Sequence, residues 1–167
     1  MTKSKKSYPI PKGALVHLTN GTLPVGVLVK CETENFDYIK GLISLDVNFI
    51  AIDSLHTSPH LHITVVKKLK KEFPNIHILS GNVVHPEDCI QLIDAGVSML
   101  RIGYSAASIN DGKNMFGTGR SQANAIYECA KVVKKYSIPL IADGGLKNSG
   151  DIALAFALGA DCVMLGQ

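Results

Sequence analysis

Runs of apolar, largely β-branched residues alternate along this chain with segments in which apolar positions return every three or four residues. Six runs are almost continuously apolar: Val25 to Val29, Phe49 to Asp53, His77 to Val83, Met99 to Gly103, Pro139 to Gly145 and Cys162 to Gly166. A strand covered on both faces has no polar side, so the pattern predicts six buried parallel strands. Helical spacing fills the intervals at Asn35 to Ser44, Leu61 to Phe73, Pro86 to Ala95, Ser121 to Tyr136 and Ser149 to Leu158. In the second of these Ile63, Val66 and Leu69 form the apolar side, and Lys67, Lys68, Lys70 and Lys71 read as a solvated face. Right-handed βα crossovers of this length give an α/β fold, either an open doubly wound sheet or part of a (β/α)8 barrel. Asn20-Gly21 reads as a hairpin turn leading into the first strand.

Composition narrows the picture. A chain of 167 residues that is 46% hydrophobic and 19% charged can bury one core, and one domain is expected. No apolar run approaches the roughly 20 residues that span a bilayer, and the polar N-terminus lacks the apolar centre of a secretory signal, so a cytoplasmic protein is expected. The net charge is +3, but Lys3, Lys5, Lys6 and Lys12 precede the first strand, leaving the folded part close to neutral. Neither nucleic acid nor membrane is an expected partner. Cys31, Cys89, Cys129 and Cys162 are widely spaced with no CxxC pair, which suggests small buried apolar residues rather than a disulfide framework or zinc cluster. His56, His60 and His62 are close in sequence but fall at a helix start without an accompanying carboxylate, so no metal is expected there.

Candidate chemistry gathers at the carboxyl ends of the later strands. Ile-Ala-Asp-Gly-Gly from Ile141 to Gly145, and Val-Met-Leu-Gly from Val163 to Gly166, end two successive strands in glycines whose amides can approach phosphate oxygens. Asp143 between them can accept from ribose hydroxyls, although Asp-Gly-Gly is also ordinary turn chemistry. The long segment from Tyr104 to Arg120, rich in Gly, Ser, Ala and Asn, follows the fourth strand, where such folds place chemistry. Arg101 lies inside an apolar strand and must face a carboxylate or phosphate, because an unpaired buried guanidinium is too unfavourable. Asn82 at the end of the third strand suits either a structural bond to backbone or a ligand contact.

Asn20-Gly-x-Leu-x-Val-Gly26, Ala51-Ile-Asp-Ser54, Gly81-Asn-Val-Val84, Leu92-x-x-Ala-Gly96, Leu100-Arg-Ile-Gly103, Ser108-Ile109, Gly119-Arg120, Gln122, Ala142-Asp-Gly-Gly145, Gly150-Asp-Ile152 and Gly159-Ala-Asp161 to Gly166 occur in this order. Together they resemble the catalytic barrel of the inosine monophosphate dehydrogenase and guanosine monophosphate reductase family. The resemblance implies a partial (β/α)8 TIM barrel over residues 20–167, with six of eight parallel strands, preceded by a basic arm and extended lead-in at residues 1–19. It implies phosphate binding at Ser108, Gly144, Gly145 and Gly166, with ribose held by Asp143. It assigns the nicotinamide side, for NAD or NADP, to Asp53, Ser54, Asn82, Arg101 and Gly103, with Leu55 replacing the second serine of that family motif.

The chain departs from the family where the family does its chemistry. Asn110 stands at the position of the family's catalytic cysteine, and a carboxamide cannot form the covalent purine adduct that a thiolate forms. Asp111, Gly112 and Lys113 replace the residues that follow, and Ser105 and Ala107 replace glycines of the family's monovalent cation site. The expectation is a protein that binds a purine nucleoside monophosphate without redox turnover. The alternatives are a structural or interaction subunit with vestigial binding, a fragment of a longer oxidoreductase, and an altered activity using Asp111 or Lys113. Open edges at the first and last strands predict a homo-oligomer or a partner protein that completes the barrel.

Overall fold

The computed structural model describes residues 26–30, 36–45, 47–53, 59–103 and 120–165. Each predicted apolar run within them is a strand: β1 Gly26–Lys30, β2 Phe49–Asp53, β3 His77–Val83, β4 Met99–Ile102, β5 Leu140–Asp143 and β6 Cys162–Met164. The helices are α1 Phe36–Ile43, α2 Pro59–Glu72, α3 Pro86–Ala95, α4 Gln122–Val133 and α5 Ser149–Ala157, with a 3-10 turn at Lys134–Tyr136 finishing α4. The turn expected at Asn20-Gly21 lies outside the described residues.

The sheet has the order β1-β2-β3-β4-β5-β6, and every neighbouring pair is parallel. A doubly wound sheet reverses its strand order at a switch point; this one does not, so of the two sequence readings the barrel type holds, as a six-stranded partial barrel. The helices follow one another in a row, α2 against α3, α3 against α4 and α4 against α5. One apolar core lies between helices and sheet, with Ile50, Ile52, Ile78, Leu100, Ile102 and Leu140 from the strands meeting Ile39, Leu42, Val66, Leu69, Ile126 and Val133 from the helices.

One irregularity positions the site. The β3–β4 register runs Leu79 to Met99 and Gly81 to Arg101, then shifts so that Val83 pairs with Ile102. Asn82 is the extra residue of that bulge, and a bulge re-aims a side chain out of the regular alternation. Gly81 is required beside it: its φ is +146°, and a Cβ there would collide with the Arg101 carbonyl.

The lysine face of α2 is more than a solvated surface. Lys68 Nζ lies 4.0 Å from the centre of the Phe36 ring, and Lys70 Nζ donates to the carbonyls of Pro74 and Ile76 at 2.9 and 3.0 Å. Lys67 and Lys71 are exposed as expected. His62 is buried and hydrogen-bonded to Ser80 of β3, while His60 is exposed, so these two do not converge; His56 lies outside the described residues. Cys89 and Cys129 are buried between α3 and α4, whereas Cys162, on the outermost of the described strands, is exposed. Among the described residues no helix is long and apolar enough to cross a membrane.

Candidate functional site at the ends of β3, β4 and β5

Three adjacent strands deliver one polar cluster. Asp143, the last residue of β5, turns its carboxylate toward β3 and β4. Asn82 Nδ2 donates to Asp143 Oδ2 at 2.8 Å, and Arg101 Nε lies 3.5 Å from the same oxygen. Arg101 thus meets the carboxylate its burial demanded, at 6% exposure. The Asp143 side chain keeps 28% of its surface in solvent. Both described side chains that the family resemblance assigned to the nicotinamide side, Asn82 and Arg101, therefore converge on the residue assigned to ribose. Asn82 Oδ1 is buried and has no protein partner among the described residues.

Behind the carboxylate, the start of α4 fastens the strand ends. Gln122 Nε2 donates to the Ile102 carbonyl of β4 and to the Asp143 carbonyl of β5, both at 3.0 Å. Arg120 Nη1 reaches the Val84 carbonyl just past β3 at 3.3 Å. Gly103 leaves the space for this arrangement. Its φ is +134°, its amide donates to Val83 at 2.9 Å, and a Cβ at this position would run into the Asp143 carbonyl and the Gln122 carboxamide.

Gly144 and Gly145 follow with φ of 90° and 74°, a conformation that side-chain-bearing residues rarely adopt. Consecutive residues of this kind direct backbone groups that a phosphate can use. Of the other sequence candidates, Asp53 ends β2, while Ser54, Ser108, Asn110 and Gly166 lie outside the described residues. Among the described residues no group of three His, Cys, Asp or Glu side chains could hold a metal ion.

Residues 10–167 match the model of the IMP dehydrogenase / GMP reductase domain. The chain belongs to this family. It is 36% identical to an inosine-5'-monophosphate dehydrogenase of Chlorobaculum tepidum, over 89% of this chain and 30% of that protein. It is 38% identical to that of Aquifex aeolicus over 88% and 30%, and 34% identical to a GMP reductase of Leishmania major over 99% and 38%. The chain therefore spans about a third of the length of these relatives.

Within this IMP dehydrogenase / GMP reductase barrel, several motif residues prove structural. Asp151 accepts from the amides of Lys147 and Asn148 while Asn148 Oδ1 accepts from the Asp151 amide, a capping box that starts α5. Asp161 Oδ2 accepts from the Leu140 amide at 2.8 Å, and the Asp161 amide donates back to the Leu140 carbonyl, pinning the entry of β5. Gln122 and Arg120 were legible as motif members, but their grip on strand-end carbonyls has no local signal in sequence.

Proposed function

We propose that the chain binds a purine nucleoside 5'-monophosphate at the carboxyl ends of β4, β5 and β6 and does not carry out the family's redox reaction. The supporting observation is the Asp143 carboxylate, fixed through Oδ2 by Asn82 and Arg101 and followed by two glycines of positive φ. A pinned carboxylate with part of its surface open suits the hydroxyls of a ribose, and the glycine pair suits the attached phosphate. Family membership, in a purine nucleotide family, supplies the ligand class. Ser108 and Gly166 would complete the phosphate site.

Loss of redox activity rests on Asn110 at the family's cysteine position. The described members of the nicotinamide set support the same reading. Arg101 is turned to Asp143, and the space beside Gly103 is filled by the Asp143 carbonyl and Gln122. Asn82 Oδ1 is a buried acceptor with no protein partner among the described residues. Asn82, Arg101 and Gly103 do not by themselves make a cradle for a dinucleotide; Ser54 and the side chain of Asp53 lie outside the described residues.

Titration calorimetry with inosine and guanosine monophosphates tests the reading. Saturable binding that Asp143→Ala weakens far more for the nucleotide than for inorganic phosphate supports it. No heat with either nucleotide, or equal loss of both ligand types, overturns it.

A second reading, a subunit that works by assembly, is favoured by the last strand and helix. Leu154 and Phe156 of α5 are 50% and 47% exposed, and Leu165 after β6 is 63% exposed. Large apolar side chains left exposed on the last helix and beside the last described strand suit a contact with another chain.

A further inference from the structure

We infer that Gln122 is the positioning residue of the ligand site: its carboxamide sets the orientation of Asp143 by clamping the ends of β4 and β5. The inference rests on the nucleotide reading above.

The β4–β5 ladder stops at the pair Ile102 and Ala142. At that point the Ile102 and Asp143 carbonyls both accept from one side-chain nitrogen of α4. Two acceptors side by side repel unless a donor stands between them. A primary carboxamide carries two N–H bonds on one nitrogen, and Gln122 Nε2 stands 3.0 Å from each oxygen. Gly103 lacks the side chain that would block this approach. The backbone of Asp143 is thereby held by α4, while its carboxylate is held by β3 and β4.

Arg120 adds an independent observation. Two positions earlier on the same segment, it holds the Val84 carbonyl at the exit of β3. The run Arg120 to Gln122 therefore grips the exits of β3, β4 and β5, the three strands that carry Asn82, Arg101 and Asp143. It also stands directly after the segment 104–119, which holds Ser108 and Asn110.

A double-mutant cycle on the full chain tests the inference, with inosine monophosphate as the probe. Gln122→Met keeps the volume and removes both donors, and it should weaken nucleotide binding about tenfold, the size of a lost hydrogen bond or two. In an Asp143→Ala background the same change should have little further effect, because Gln122 acts through Asp143. Losses that multiply independently overturn the inference. If Gln122→Met does not fold, Gln122→Glu replaces it: a carboxylate repels both carbonyls, whereas the protonated acid donates to one. Its affinity relative to wild type should then recover as pH falls from about 7 to about 5, and a flat ratio overturns the inference.

Failure of the wild-type chain to bind the nucleotide would overturn the ligand reading instead. The clamp is then decided without ligand, by NMR. The Gln122 carboxamide protons should exchange slowly, and Gln122→Met should shift the Gly144 and Gly145 amides but not those of β1. Fast exchange, or unmoved glycine amides, overturns the clamp.

Discussion

Arg101 Nε lies 3.5 Å from Asp143 Oδ2, a pairing of neighbouring strands in which the arginine is almost fully buried and the aspartate is about a quarter open to solvent. Removing one member of a buried pair leaves the other desolvated without its counter-charge. With the Asp143 side chain 28% exposed, the pair is partly screened by solvent, so Arg101→Met should destabilise the chain by on the order of 2 kcal/mol, below the full value for a dry pair. Chemical denaturation of the two proteins measures it, and an unchanged midpoint contradicts it.

Two glycine substitutions should differ in size. At Gly103 a Cβ would occupy the place of the Asp143 carbonyl and the Gln122 carboxamide, so Gly103→Ala should cost about 3 kcal/mol or more. At Gly96, which ends α3 with φ of 103°, a Cβ would meet only the flexible Lys70 stem at 3.1 Å, and Gly96→Ala should cost about 1 kcal/mol. Equal losses in thermal unfolding would show that close approach at Gly103 adds nothing to backbone strain.

Thiol labelling should separate three cysteines. The hydrogen bond between the Cys89 and Cys129 side chains, with burial, pushes the Cys89 thiol well above the ordinary range. Cys89 therefore stays protonated in the native protein at neutral and mildly alkaline pH, and raising pH there should not speed its alkylation. Mass spectrometry after iodoacetamide treatment should find exposed Cys162 modified first, and Cys89 and Cys129 only on unfolding.

With inosine monophosphate and NAD the chain should form no NADH, because Asn110 offers no thiolate. Asn110→Cys alone should not restore turnover, since Ser105 and Ala107 still replace the cation-site glycines. Absorbance at the reduced nicotinamide band reads both outcomes, and NADH from either protein refutes the corresponding statement.

Self-association should run through the β6 end. Light scattering coupled to size exclusion should give a mass above that of one chain at low micromolar concentration, and Phe156→Glu with Leu165→Glu should reduce it. A wild-type monomer that binds no dye for exposed apolar surface excludes this surface as an interface.

Strand positions were legible because a sheet covered on both sides leaves unbroken apolar runs, and Phe49–Asp53 and His77–Val83 are found where those runs lie. Strand order came from the family resemblance, through the partial barrel it implies, because hydrophobic periodicity by itself carries no information about neighbours. Within the site, burial alone required an anionic partner for Arg101, but not which one. Asn82 reaches Asp143, 61 positions away, only because a bulge turns it out of the β3 alternation, and the sequence cue for that bulge is a single glycine, Gly81. The lysines of α2 show the opposite failure: helical spacing places Lys68 and Lys70 on a polar face, yet their long stems reach Phe36 and the Pro74 and Ile76 carbonyls.

Because strand order follows chain order, the principal contacts of each βα unit are with the units on either side of it. Such a stack behaves as a one-dimensional series of coupled segments, in which loosening spreads by passing from one to the next. Fraying at β1 must cross β2 before it reaches Asn82, and fraying at β6 is opposed by the Asp161 latch on β5. Amide exchange should therefore slow from the two margins toward β3 and β4. Asn82 and Arg101, which hold the Asp143 carboxylate, sit on that slow interior, so the outer strands can loosen while the side of Asp143 that faces β3 and β4 stays anchored.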